Sequence, residues 1–113
     1  MIQRRFETEL ERLAVAELRE IFGVLLDSLN DDQLAGYVQG VKLLGEDWGL
    51  ETDVQIRRLA VYLYGAQIFL GDVPPWVSRI MADPQRSPQE RILSLTVRLR
   101  EAMTRHYDAP VSD

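Results

Sequence analysis

Apolar residues recur every three or four positions through most of this chain, and the phase of the recurrence breaks at a few well-marked places. From Gln3 to Leu29 the residues Phe6, Leu10, Leu13, Leu18, Ile21, Phe22, Leu25 and Leu29 keep helical spacing, with Glu7, Glu11, Arg12, Arg19 and Glu20 between them. The spacing predicts one long amphipathic helix that stops near Asn30. Asn30 and Gln33 then form a start signal, in which the two side chains satisfy amides that the first helical turn leaves free. A second helix follows from Asp31 to Trp48. Its stripe is Leu34, Tyr37, Val38, Val41, Leu44, Gly45 and Trp48, with Asp31 and Asp32 at the positive end of the helix dipole. Gly49 is placed to end it in a left-handed conformation.

The third stretch, opened by Thr52 with Gln55 and closed by Gly71, is apolar on almost every side. Ile56, Leu59, Ala60, Leu63, Ala66 and Leu70 form one face and Val61, Tyr64, Gly65 and Ile68 a second, a pattern that predicts a central helix buried by neighbours. Pro74-Pro75 forces a turn, since a proline disfavours the helical region for the residue before it. A short helix is predicted from Pro75 to about Ala82. Ser87-Pro88-Gln89-Glu90 starts the last one, which runs from Pro88 to about Tyr107 and buries Ile92, Leu95, Leu99, Ala102 and Met103.

No stretch alternates like a strand. The reading is therefore all-α: a single compact domain of about five helices around a central buried one, covering residues 1–108, with 109–113 a frayed tail. Two local expectations accompany it. Gly36 and Gly40, poor helix formers four residues apart, are expected to face a neighbouring helix at close range. Asp72, Pro74, Pro75 and Trp76 are expected to make a structural turn with Trp76 largely buried, because two constrained residues set the approach of a bulky aromatic.

Composition narrows the function classes. A chain of 113 residues, 46% hydrophobic, can bury a core without staples, and with no cysteine it has neither disulfides nor thiolate metal ligands. Thirteen basic against eighteen acidic residues leave −5, which argues against a nonspecific nucleic-acid binder and favours a basic partner surface, or simply solubility. MIQRRFETELERL has no apolar run of the signal-peptide kind, and stretches such as LAVYLYGAQIFLG fall short of the roughly 20 residues that span a bilayer. The expectation is a soluble cytoplasmic protein.

Chemistry-bearing patterns are scarce. His106 is the only histidine, so no second imidazole shares a metal with it, and its place near a helix end suits a dipole contact. Asp31/Asp32 and Glu46/Asp47 are adjacent pairs whose side chains diverge by about 100° on a helix, which suits helix-end charges better than acid–base work. Phosphate loops, G-x-S-x-G elbows and H-E-x-x-H helices are missing from the sequence. The residues thus predict a non-enzyme with no catalytic, metal or cofactor site. Arg91, Arg98 and Arg105 recur every seven residues and stack on roughly one face of the last helix, either as a solvated face or as a strip that meets an acidic partner.

FETEL near the start, DDQL at the second helix and WGLETDVQIRRLAVYLYGAQIFLGDVPPWVSRIMADP through the middle form a familiar order. Its most telling parts are Trp48-Gly49-Leu50 with Glu51 and Asp53, Tyr64-Gly65 with Phe69, and Asp72, Pro75-Trp76 followed by Ile80 and Asp83. The pattern resembles small helical proteins encoded among effector genes of bacterial type VI secretion systems, with Val73-Pro74 departing from a more polar approach to the turn. The resemblance implies a protein-binding accessory factor, an adaptor or chaperone-like partner of an effector or of its loading protein. An immunity protein that neutralises a cognate toxin is the alternative, with an unrecognised enzyme or a DNA-binding regulator behind it. The partner implied is a protein rather than nucleic acid or membrane, and self-association stands beside it as an option.

Overall fold

The computed structural model describes residues 8–108, with side chains through Arg105. Phe6, the side chain of His106 and the tail 109–113 lie outside the described residues. Five α-helices carry the chain: α1 Glu9–Phe22, α2 Asp31–Asp47, α3 Asp53–Leu70, α4 Trp76–Met81 and α5 Pro88–Asp108, with a 3-10 turn Gly23–Leu26 after α1. Among the described residues there is no strand, so the all-α class is what the chain adopts. The contacts divide it into two compact units, residues 1–61 and 62–113, and the division falls inside α3.

In the first unit, the single long helix expected from Gln3 to Leu29 breaks before its C-terminal end, and its first residues, 3–7, lie outside the described ones. Thr8 is extended and its Oγ1 accepts from the Glu11 amide at 3.1 Å, which sets the start of α1 at Glu9. Gly23, at φ 52°, stops α1 and the chain tightens into the 3-10 turn. That change of pitch moves the apolar phase by one residue. Leu26 is buried in place of Leu25, which is exposed; Ile21, expected on the inner face but lying in α1 ahead of this turn, is exposed as well.

Helix α2 packs on α1. Its start is the expected box: Gln33 N–H donates to Asn30 Oδ1 at 2.8 Å and Asn30 N–H to Gln33 Oε1 at 2.9 Å. Its end is a Schellman turn, with Gly49 at φ 83°, Leu50 N–H donating to the Gly45 carbonyl at 2.8 Å and Gly49 N–H to that of Glu46 at 3.0 Å. Leu50 is buried by this fold-back. The first half of α3, capped by Thr52 and Gln55 as expected, is tied to both other helices. Tyr37 O–H donates to the Ala60 carbonyl at 2.6 Å, and Arg57 pairs with Glu17 at 3.3 Å.

The glycines of α2 reverse their expected roles. Gly36 and Gly40 are exposed, and an added Cβ at either would meet open space, so neither mediates a close helix approach. Gly45 does: a Cβ there would lie 2.5 Å from Ile56 Cδ1 and 3.1 Å from Leu50 Cδ1. At Gly36 and Gly40 only the backbone cost of glycine remains. Alanine at either position is therefore expected to stabilise the chain, by up to about 1 kcal/mol each, read as a raised urea midpoint with unchanged slope.

In the second unit α4 packs on α5. Ser87 Oγ accepts from the Glu90 amide at 3.2 Å and Ser87 N–H donates to Glu90 Oε1 at 2.9 Å, the expected box. Hydrogen bonds to its carboxyl from the Ser87 backbone N–H and hydroxyl, with Arg86 nearby, hold Glu90 below its ordinary value. A group lowered in the folded state contributes stability that is complete above its ordinary value and lost as pH falls through the lowered one. In an NMR titration Glu90 should therefore ionise below an ordinary glutamate, and Ser87→Ala, which keeps the backbone N–H and removes the hydroxyl, should move it part of the way back up. Ile92, Leu95 and Leu99 of α5 are buried with Val77 and Met81 of α4, while Ala102 and Met103 are only half-buried.

Candidate protein-binding surface

The side chains that α5 leaves outside its core stripe build an open groove on the second unit. Leu93 and Val97 lie one turn apart, the first next in sequence to Ile92 and the second two residues before Leu99, and are 63% and 48% exposed. With Ile80 of α4 they line an open, mostly apolar groove of about 420 Å³, bounded by Ser94, Arg98 and Glu101. A second hollow of about 330 Å³ shares Ile80, Ser94 and Arg98 with the first and adds Trp76, Arg79, Asp83 and Arg86. The two form one surface. One end is apolar and the other carries cations over an aromatic ring.

Local structure positions each part. Pro75, at φ −59°, is the N-cap of α4 and sets Trp76 as its first residue, so the expected structural turn at Pro74-Pro75 is in place. Asp72 also contributes to it, its Oδ1 accepting from the Val73 amide at 2.7 Å. Trp76 itself is not largely buried. It is half-exposed, because as the first residue of a six-residue helix its ring lies against the outer side of α5, with the Arg98 guanidinium 5.0 Å from the ring centre. Asp83 Oδ1 accepts from the Gln85 amide at 2.9 Å and its carboxylate faces Arg86 at 3.7 Å, shaping the turn into α5.

The arginine strip divides into three different roles. Arg91 is half-buried, its Nε donating to the Arg86 carbonyl and a terminal nitrogen to that of Met81, both at 2.9 Å. It is a tie between α4, the turn and α5, which corrects its expected place on a binding strip. Helical repetition put it on the right face of α5; what it faces there is the backbone of the preceding turn. Arg98 is exposed, stacks on Trp76 and belongs to the groove. Arg105 is exposed and pairs with Glu101 at 3.6 Å, one turn along the same helix. Arg79 and Arg86 complete the cationic end. Neither stands in the heptad pattern, so the sequence signal passed over them.

Elsewhere the described residues offer less chemistry. Glu11, placed by periodicity on the water side of α1, is 1% exposed and accepts from Gln39 Nε2 of α2. Among the described residues no group of three acidic, histidine or cysteine side chains could hold a metal ion, and no buried side-chain nitrogen or oxygen lacks a partner. Among them also, no helix is long and apolar enough to cross a membrane. No protein-family model, curated protein or solved structure matches the chain.

Proposed function

We propose that the chain is a non-enzymatic, protein-binding accessory factor, acting as an adaptor or chaperone-like partner of a type VI secretion effector or of its loading protein in the bacterial cytoplasm. The observation that carries the binding role is the groove of the second unit, where Leu93, Val97 and Ile80 stand open to solvent beside Arg98 and Trp76. Interface centres are apolar and aromatic with arginine enriched, and that is the composition assembled here. The cellular setting rests on the sequence resemblance, and the absence of phosphate-loop, nucleophile-elbow and zinc-helix motifs supports a role without chemistry.

The test is a photo-crosslinking amino acid at position 93 or 97 in the producing cells, with position 24 as the control. Val24 is more open than either and lies in the first unit. A discrete adduct from the groove positions, identified by mass spectrometry as an effector, spike or loading protein, is the expected result. Adducts indistinguishable from those at position 24 would remove the groove from the function.

A further inference from the structure

The cationic end of the groove runs against the charge of the chain as a whole. Residues 1–61 hold seven basic and twelve acidic side chains, whereas residues 62–113 hold six of each, so the net −5 resides in the first unit. Within the second unit the groove collects Arg79, Arg86 and Arg98 at one end, against Asp83 there and Glu101 at the other. Asp83 is engaged with Arg86 and with the Gln85 amide, and Glu101 with Arg105. Among the described residues Arg79 makes no ion pair and Arg98 meets only the face of Trp76, a contact that leaves the edge of its guanidinium open to a carboxylate.

We propose that the occupant of this groove is an acidic amphipathic helix of a partner protein. Its apolar side chains, one turn apart, enter between Ile80, Leu93 and Val97, and a carboxylate on the same face meets Arg98 and Arg79. This rests on the protein-binding reading and names the chemistry of the partner. Two features select a helix. The groove lies between two packed helices, and its apolar residues on α5 are spaced by one turn, the repeat an incoming helix presents. Strand addition would need an open sheet edge, and the described residues contain no strand. Charge selects an acidic one, since a basic helix would bring like charges to Arg79, Arg86 and Arg98. Arg98 can accept the carboxylate without leaving the ring, because the two contacts use its face and its edge.

The probe is a yeast-displayed helical hairpin with one helix face randomised, selected for binding to the wild-type protein and against Leu93→Ser. Selected sequences should carry paired apolar residues one turn apart flanked by Asp or Glu. In calorimetry, changing those acids to their amides should weaken binding by about tenfold or more, as should Arg98→Gln. Both sites are exposed, and circular dichroism with urea melts will show the variants folded. Raising the salt concentration should weaken the wild-type complex and leave the amide version nearly unchanged. Selection of neutral or basic faces, full affinity in Arg98→Gln, or no binders at all would overturn the acidic helix. So would a concentration-dependent dimer abolished by Leu93→Ser, which would give the groove to a second copy of the chain. A crosslinked cellular partner at position 93 together with a failed selection would leave the binding role standing and remove only this inference.

Discussion

Replacing Gly45 with leucine should destabilise the protein by about 1–3 kcal/mol, read as a lowered urea midpoint, although leucine is a far better helix former than glycine. The reason lies in how α2 ends. The Schellman turn brings Leu50 back to bond the Gly45 carbonyl, and Ile56 of α3 arrives over the same spot, so a single Cβ already sits 2.5 Å from one methyl and 3.1 Å from another. Both offending atoms are ends of flexible side chains, which makes Gly45→Ala milder: the gain of about 1 kcal/mol in helix propensity is set against displacing them. A double-mutant cycle separates the two terms. Ile56→Val removes Cδ1, the nearer atom, and alone should cost about 0.5–1.5 kcal/mol. In the Gly45→Ala background it should cost less by about 0.5 kcal/mol or more, because it also relieves the clash. Strict additivity, or a Gly45→Leu protein as stable as wild type, would show that the approach is looser than described.

Gly45 also shows where periodicity stops being informative. The recurrence of apolar residues found five helices, and three of their starts were written in side chains that bond back to the backbone: Asn30 with Gln33, Thr52 with Gln55, Ser87 with Glu90. Such caps are local, so sequence carries them in full. Close approach is not local. Gly36 and Gly40 have the suggestive spacing, but the glycine under another helix is Gly45, which lies on the apolar stripe and is covered by Ile56 of α3 and by Leu50 beyond the turn at Gly49. Gly23 was passed over as a breaker because Val24, Leu25 and Leu26 continue an apolar run in which a tighter turn is hard to tell from a helix. A charge in an amphipathic pattern marks the polar face, so periodicity places Glu11 toward water; its buried carboxylate is met by Gln39, twenty-eight residues on. The groove was half legible. Leu93 and Val97 stand out of phase with Ile92, Leu95 and Leu99, a visible sign of a second apolar face on α5, whereas Ile80, Arg79 and Arg86 come from α4 and the turn and needed the fold.

Arg91→Met should cost about 1.5–3 kcal/mol of stability, while Arg98→Met and Arg105→Met should each stay within roughly 1 kcal/mol of wild type. All three sit on one face of α5 at heptad spacing, so an account based on a uniform cationic strip expects equal effects. The contacts say otherwise. Met81 lies in the last turn of α4, where carbonyls have no intrahelical partner, and Arg91 satisfies that carbonyl while its Nε holds the Arg86 carbonyl in the following turn. Methionine keeps the apolar stem and removes both donors, leaving the part-buried Met81 carbonyl and the exposed Arg86 carbonyl without the N–H groups that bonded them. Arg98 has only a partly exposed ring contact to lose and Arg105 an exposed pair one turn away. Arg91→Lys provides the control for geometry: an ammonium carries its three donors on one nitrogen and does not reach two separated carbonyls as the guanidinium fork does, so it should recover part of the loss. Urea melts of the four variants decide the matter. In the same set, binding by the selected acidic hairpin should fall for Arg98→Met and persist for Arg105→Met. Equal stability losses across Arg91, Arg98 and Arg105 would show that the α4–α5 turn is held by something other than Arg91.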